Sequence, residues 1–209
     1  MDAIHSKSIF VYGQVKRGLR SGRYAPGQRI DPAALAAEFN TSATPVRFAL
    51  YRLVGETLIV DHARDGLHVP LLNEVALRDL YDWMEHLLLA ACDIDVSRVA
   101  AKAQPLALAS ADDDRVKLTW QLFDTIARAT AHSSLHHAVK QANDRLAPIR
   151  QVTQGLLKHG FEELSELIRL WQARDIPNLK FALRDYHEYR KQLVPRIVAL
   201  LSERSGHFH

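Results

Sequence analysis

Apolar residues recur every three or four positions in two stretches of the N-terminal third, which is the spacing of amphipathic helices. The first stretch ends before Ser21-Gly22 and has its apolar positions at Ile9, Val11, Tyr12, Val15 and Leu19. The second, residues 41–53, begins with residues that can cap a helix, Thr41 and Ser42, and has Pro45 in its first turn. Its apolar side is formed by Val46, Ala49, Leu50 and Leu53. This helix can pack by that side and offer Arg47, Tyr51 and Arg52 to a partner.

A short helix and a β-hairpin complete the N-terminal pattern. Asp31-Pro32 is a helix start that leads into AALAAEF, and residues 40–42 join this helix to the next with helix-turn-helix spacing. Two β-rich segments follow, Leu58–Val60 and Leu67–Val69, with a turn signal in Arg64-Asp65-Gly66. Three helices followed by two strands predict a winged helix-turn-helix DNA-binding domain over residues 1–72.

From residue 73 onward the pattern is helical throughout, which predicts a second, all-α domain over residues 73–209, built as an antiparallel helical bundle. The predicted helices cover residues 75–94, 96–103, 113–131, 133–146, 148–158, 160–173 and 177–203. Pro195 is expected to kink the last of them, and the acidic residues 112–114 suit a helix N-terminus. The predicted fold class is mainly α, with β-structure confined to the wing.

Composition narrows the class of protein. The longest apolar run, Leu87 to Cys92, is too short to span a membrane. The N-terminal stretch has no signal-peptide core because basic residues interrupt it. Cys92 is the only cysteine, which excludes an intramolecular disulfide. We therefore expect a cytoplasmic protein with no membrane partner.

The excess positive charge is confined to one part of the chain. Residues 1–70 contain nine Lys and Arg against six Asp and Glu, whereas residues 71–209 contain eighteen of each kind. The whole net charge of +3 therefore belongs to the predicted winged-helix domain. This is the sign expected for a domain that neutralises DNA phosphates.

Residues 21–53 carry a family resemblance, since they read SGRYAPGQRIDPAALAAEFNTSATPVRFALYRL. Together with the wing glycine they resemble the N-terminal domain of GntR-family transcription factors, and the resemblance covers about residues 8–70. It implies a homodimeric transcription regulator, such as a repressor, that binds double-stranded operator DNA. The predicted DNA-binding residues are Ser42, Thr44, Arg47, Tyr51, Arg52, Arg64 and Gly66. Ala33 and Ala43 stand where relatives carry Arg, which predicts weaker or different operator recognition, because one bidentate Arg–guanine contact gives roughly 1–3 kcal/mol of discrimination.

The helical domain resembles the effector-binding (FCD) domain of the FadR-type subgroup in helix pattern and length. This resemblance implies a small-molecule effector and, in many relatives, a divalent metal held by one Asp and three His. Alignment on LFDTIARATAH places Thr119, Phe123, Leu164 and Tyr186 at the four ligand positions. These side chains do not suit such an ion, so we expect no metal and no other cofactor. A one-residue shift leaves open a site made by Asp124, His132 and His187.

A helical bundle of this kind normally encloses a pocket for its effector. Residues that could line it are Trp83, His86, Trp120, Phe123, Arg128, Tyr186 and His187. For each aromatic residue, ordinary core packing is the alternative. Trp83 stands where the subgroup often has an Arg that faces the effector. This favours an apolar or aromatic effector, or none, over a carboxylate bound as in the relatives.

These patterns leave three classes of function to compare. The favoured one is a ligand-responsive transcription regulator that binds operator DNA as a dimer. The alternative is a winged-helix protein–protein interaction module without DNA binding, which Ala33 and Ala43 favour and which Arg47 and the charge distribution oppose. An enzyme is not expected, because the sequence has no glycine-rich phosphate loop, nucleophile elbow or catalytic metal motif.

Overall fold

The computed structural model describes residues 2–94 and 114–205, which are mainly helical with one two-stranded antiparallel sheet. The predicted fold class is confirmed. The chain divides into two compact units, residues 1–72 with 199–209, and residues 73–198. The helix predicted at 96–103 and most of the acidic run at 112–114 lie outside the described residues.

The first unit contains three helices and the hairpin. In chain order these are α1 (Asp2–Arg20), α2 (Pro32–Glu38), α3 (Ala43–Gly55), β1 (Val60–His62) and β2 (Gly66–His68). Asp31 caps α2, because its carboxylate accepts a hydrogen bond from the Ala33 N–H at 2.8 Å. Ser42 is the N-cap residue of α3, but its hydroxyl makes no capping hydrogen bond. The side chain of Ser42 is exposed.

The first strand of the wing begins two residues later than predicted. β1 and β2 pair with Asp61 opposite Leu67, whereas the prediction began the first strand at Leu58. Leu58 and Ile59 are both buried, and a strand would turn one of two successive side chains away from the core. Gly66 opens β2 with a φ of +83°, a left-handed conformation that favours glycine, as the turn signal suggested.

The core of the first unit lies between α1, α3 and the wing. Its buried residues include Val11, Val15 and Leu19 from α1, Val46, Leu50 and Leu53 from α3, and Leu67 and Val69 beside the wing. Residues 28–30 run along the free edge of β2, where the Ile30 N–H donates to the Leu67 carbonyl at 2.7 Å. This packing fixes one side of α3 and leaves the other side exposed.

The second unit is helical. Its helices are α4 (Glu74–Asp93), α5 (Arg115–Ala129), α6 (Ser133–Thr153), α7 (Gly160–Ala173) and α8 (Ile176–Gln192), followed by the first residues of α9 (Val194–Ser205). Asn73 and Asp114 cap α4 and α5 by accepting hydrogen bonds from Ala76 and Lys117 N–H groups. The capping by Asp114 agrees with the expectation that acidic residues precede this helix.

Pro148 lies inside a continuous helix, where the prediction had a break between two helices. The chain was predicted to form separate helices at 133–146 and 148–158, but α6 continues through Pro148 to Thr153. Leu146, Ala147 and Ile149 are buried around Pro148. Their burial outweighs the cost of about 3 kcal/mol that a proline adds to a helix interior.

Pro195 was predicted to kink one helix over 177–203, but the helix is broken at Leu193 into α8 and α9. Pro195 has no N–H to donate to the carbonyl of Lys191, four residues earlier. The Arg78 guanidinium on α4 donates to that carbonyl instead, at 2.8 Å. The break is therefore stabilised by a side chain from another helix.

Within residues 2–94 and 114–205, no helix combines the length and the apolar character needed to cross a membrane.

Candidate nucleic-acid interface and ligand cavity

The exposed side of α3 is the first candidate site. Pro45, Val46, Ala49, Leu50 and Leu53 anchor the helix in the core. The opposite side presents Thr44, Arg47, Phe48 and Tyr51 to solvent, with Phe48 and Tyr51 62% and 56% exposed. Large apolar rings with such exposure are typical of surfaces that bind a partner.

Arg47 differs from the other arginine of α3 in its surroundings. Within the part of the chain that the structure describes, the exposed Arg47 guanidinium forms no hydrogen bond or ion pair. Arg52, by contrast, lies 4.0 Å from the centre of the Tyr12 ring, and its Nε is 3.6 Å from a Glu56 carboxylate oxygen. Arg47 is therefore the more available cation for a phosphate or a base edge.

Arg52 belongs to a cluster that ties α3 to α1. Lys16 Nζ lies 2.5 Å from Glu56, and the Tyr12 hydroxyl donates to the same carboxylate at 2.7 Å. Burial alone would raise the pKa of Glu56, but the hydrogen bonds from Lys16 and Tyr12 lower it below its usual value. The charge of Arg52 is thus partly satisfied within the protein.

Two further arginines lie in the wing or beside it. Arg64 lies exposed in the three-residue loop between β1 and β2, beside Gly66. Arg29, which the sequence analysis did not single out, is exposed, and its Nε lies 3.9 Å from where a side chain on Gly66 would begin. The signal for Arg29 was available only through the fold, because it depends on residues 28–30 running beside β2.

The second candidate site lies inside the helical unit, where the structure brings together three of the seven predicted pocket residues. Phe123 packs edge-on against Tyr186 at 5.4 Å between ring centres and stacks on His187 at 5.9 Å. Trp83 is 53% exposed and His86 is exposed on the outer side of α4.

The remaining two predicted residues make contacts elsewhere. Trp120 donates to the Asp144 carboxylate at 2.8 Å, and the Arg128 guanidinium, 69% exposed, pairs with Asp124. The predicted set therefore combines one aromatic cluster with the half-buried Trp120 and three exposed residues.

A cavity of about 30 Å³, enough for about two water molecules, lies beside this cluster. Its polar lining consists of Arg115, Thr119, Arg150, Gln154, Tyr186 and Arg190. Only Tyr186 was predicted. Arg150 and Arg190 carried a sequence signal, because each falls on the apolar side of its helix, where a charged residue is unusual.

The four residues aligned with the family's metal ligands lie in this region, but their side chains are not arranged to bind a metal ion. The Thr119 hydroxyl donates to the Arg115 carbonyl at 2.8 Å, and Phe123, Leu164 and Tyr186 are buried in the core. Among the described residues, no three His, Cys, Asp or Glu side chains are grouped so that they could hold a metal ion.

The site left open by a shifted alignment does not assemble. Asp124 bonds to Arg128 and, at 2.8 Å, to His136. His132 instead caps α6, where its ring accepts from the Leu135 N–H at 3.4 Å. His187 is paired with the Leu183 carbonyl.

His187 is fully buried and neutral. Its Nδ1 lies 2.7 Å from the Leu183 carbonyl, so Nδ1 carries the proton of the neutral ring. Burial, followed by the positive charges of Arg190 and Arg150, lowers the pKa of His187 to about 3. An unfolded His has a pKa of about 6.5. Between about pH 6.5 and about pH 3 the unfolded chain therefore binds a proton that the folded protein does not.

The contribution of His187 to stability is therefore fully present above about pH 6.5 and is lost as the pH falls toward 3. We expect the free energy of unfolding to fall by about 2 kcal/mol more in the wild type than in His187→Gln between about pH 7 and about pH 5. Urea denaturation of both proteins measures this difference. Equal pH dependence in the two proteins would contradict the neutral, buried state of His187.

Comparison with known proteins shows which family residues 7–69 are similar to. Residues 7–69 match the family model described as bacterial regulatory proteins, gntR family. The Nta operon transcriptional regulator of Aminobacter aminovorans is 39% identical over 62 residues, which are 30% of this chain and 30% of that protein. The match thus spans under a third of the length of that relative.

Two solved structures are similar over most of the chain. A candidate GntR transcriptional regulator from Rhodococcus sp. RHA1 has a TM-score of 0.75 at 16% identity, covering 90% of this chain and 97% of that one. E. coli McbR/YncC has a TM-score of 0.70 at 19% identity, covering 91% and 97%. At these identities the similarity shows the fold. The family match itself is limited to residues 7–69.

Proposed function

We propose that the protein, whose N-terminal unit matches GntR-family regulators, is a ligand-responsive transcription regulator that binds double-stranded operator DNA as a homodimer. The observation that best supports this proposal is the exposed side of α3, where Arg47 has no partner within the described residues. A recognition helix in a winged-helix domain presents this side to the major groove. Ser42, Thr44, Arg47 and Tyr51 are the proposed contacts from α3, with Arg64 and Gly66 in the wing.

We expect Arg52 to contribute less to DNA binding than Arg47 does. Its contacts with Tyr12 and Glu56 fix the C-terminal part of α3 to α1. Arg52 would reach a phosphate only in addition to those contacts or in place of them. Arg29, beside the wing glycine, is added to the proposed contacts on the strength of its exposure.

The alternative is a winged-helix module that binds a protein and not DNA. The exposed Phe48 and Tyr51 favour it, because two aromatic rings suit the centre of a protein interface. The unpaired Arg47 and the net charge of +3 on residues 1–70 favour DNA.

A gel-shift titration of DNA from upstream of the protein's own gene separates the two functions. The experiment uses the full chain, a scrambled fragment of equal length as the control, and a series of salt concentrations. For operator binding we expect preference for the upstream fragment and an affinity that falls steeply with salt, because several phosphates are contacted. Equal, weak binding to both fragments at every salt concentration would leave the protein-interaction module as the better proposal.

The regulatory part of the proposal rests on the helical unit. Its cavity beside Tyr186 is the proposed ligand site, and because it has room for only about two waters, a larger molecule would have to widen it on binding. In such a regulator, ligand binding shifts the population of the DNA-binding state, as a repressor requires. We place this activity in the cytoplasm and assign the protein no catalytic step and no cofactor.

We predict a symmetric dimer, because helix-turn-helix proteins read paired half-sites with paired recognition helices. The outer side of α4 is the proposed contact, since Val75 is 69% exposed and Trp83 is 53% exposed on it. Analytical ultracentrifugation at micromolar concentration should show a dimer for the wild type and a shift toward monomer for Trp83→Glu. Phe181→Glu, which changes an exposed ring on α8, tests whether a neighbouring helix contributes. A wild-type monomer with and without DNA would contradict the prediction.

A further inference from the structure

Phe48 is a large apolar side chain on the side of α3 that faces solvent. Its ring is 62% exposed and forms no aromatic or cation–π contact within the described residues. The two residues that follow it, Ala49 and Leu50, are buried in the core. An exposed ring is unfavourable, because its apolar surface stays in contact with water. Packing within the described residues therefore uses little of the Phe48 ring.

The spacing of the exposed residues fixes where Phe48 lies on α3. Thr44, Phe48 and Tyr51 are separated by four and three residues, so they are neighbours on the helix surface. Thr44 and Tyr51 mark the centre of the exposed side. Because successive helical residues are rotated by about 100°, Arg47 lies on one flank of this centre and Phe48 on the other. The exposed side of α3 thus combines a cation with an apolar ring.

The charges of α3 indicate which partner covers this ring. The charged residues of the helix are both arginines, Arg47 and Arg52, and the helix contains no Asp or Glu. The net charge of residues 1–70 is also positive, at +3. A helix whose charges are all positive complements the phosphates of DNA. This complementarity favours DNA over a protein partner at Phe48.

The chemistry of a phenyl ring restricts what Phe48 can recognise in the major groove. The ring has no group that can donate or accept a conventional hydrogen bond, so it cannot read the polar edges of the bases. Thymine differs from the other three bases because it presents a C5-methyl group in this groove, and Phe is a side chain suited to contact that group. A thymine methyl group that lies against Phe48 would remove apolar surface of both groups from water.

We propose that Phe48 determines operator specificity by contacting the C5-methyl group of one thymine in each half-site. Arg47, on the other flank of α3, supplies the polar contacts to a base edge or a phosphate. This inference rests on the proposed function, because it requires α3 to enter the major groove. It assigns part of the sequence recognition to an apolar contact.

The test replaces thymine by deoxyuridine, which lacks the C5-methyl group and keeps the same base pairing. The full chain is titrated with the duplex from upstream of its own gene, and the dissociation constant is measured by fluorescence anisotropy. Symmetry-related thymines are replaced one pair at a time, because a dimer reads two half-sites. Burial of one methyl group changes an equilibrium constant by about fourfold, so one pair of replacements should weaken wild-type binding by about 15-fold.

Phe48→Ala should bind the thymine duplex at least about 15-fold more weakly than the wild type does, and it should bind both duplexes equally. Phe48→Leu keeps an apolar side chain and should retain part of the preference for thymine. Phe10→Ala removes a ring that is 52% exposed on α1, so it is the matched control and should keep the whole preference. Circular dichroism checks that each variant is folded, as expected for substitutions of exposed side chains.

Two proteins measured on two duplexes isolate the contact between Phe48 and the methyl group. Wild-type affinity that no replacement changes, or equal losses in the wild type and Phe48→Ala, would overturn the inference while operator binding stands. No preference for the upstream duplex over a scrambled one would overturn the inference and the proposed function together. The two failures are therefore distinguishable.

Discussion

Arg47→Ala is expected to weaken operator binding by about 30-fold or more while leaving the protein folded. Arg47 is exposed on α3 and has no partner within the described residues, so its removal costs no internal contact. One bidentate arginine contact with a base gives roughly 1–3 kcal/mol. A dimer loses two such contacts, so its affinity should fall by about 30-fold to about 10⁴-fold.

The measurement is a gel shift or fluorescence-anisotropy titration of the operator fragment, with circular dichroism to show that the variant is folded. Arg196→Ala is the matched control, because Arg196 is an exposed arginine of α9 without a described partner. It should bind as the wild type does. Unchanged operator affinity in a folded Arg47→Ala protein would remove α3 from the proposed interface.

Phe123→Ala should lower the free energy of unfolding by about 3–5 kcal/mol, because it empties a large volume in a packed core. Phe123 has 0% exposure and contacts Tyr186, His187 and Arg150.

Urea denaturation followed by helical circular dichroism measures this loss. Phe181→Ala is the control, since the same ring is removed from a site that is 63% exposed. Its effect should stay within about 0.5 kcal/mol, as for most surface substitutions. Similar losses for Phe123→Ala and Phe181→Ala would show that Phe123 is not a central packing residue.

The N-terminal elements were predictable because their signals are local. Asp31 followed by Pro32 starts α2, and the apolar positions Val46, Ala49, Leu50 and Leu53 face the core as their spacing indicated. The first strand was placed too early because Leu58 and Ile59 look β-like in composition. Their burial as two successive residues depends on α1 and α3, which local sequence does not describe.

The helical unit was predicted in outline, while the effects of its prolines were not. Pro148 and Pro195 have the same intrinsic cost in a helix, and the outcome depended on what surrounds each. Pro148 is buried among apolar neighbours, whereas Pro195 is exposed at the start of α9. Surroundings of this kind are tertiary and are absent from a periodicity analysis.

The candidate cavity was only partly predictable for a related reason. Phe123, Tyr186 and His187 were selected as aromatic or imidazole groups, and they do meet. Trp83 was selected by type as well, but it is exposed on the outer side of α4, away from the residues of this helix that are buried. Arg150 was missed because arginine is ordinarily a surface residue, and only the fold shows that it is buried and lines a cavity.

The hydrogen bond from Arg78 to the Lys191 carbonyl has a consequence for how these two helices evolve. The arginine is needed there because Pro195 cannot supply the backbone donor. A homologue with another residue at position 195 would satisfy the carbonyl from its own backbone and could run α8 and α9 together as one helix. Selection for arginine at position 78 would then relax, so we expect positions 78 and 195 to covary among relatives of this protein.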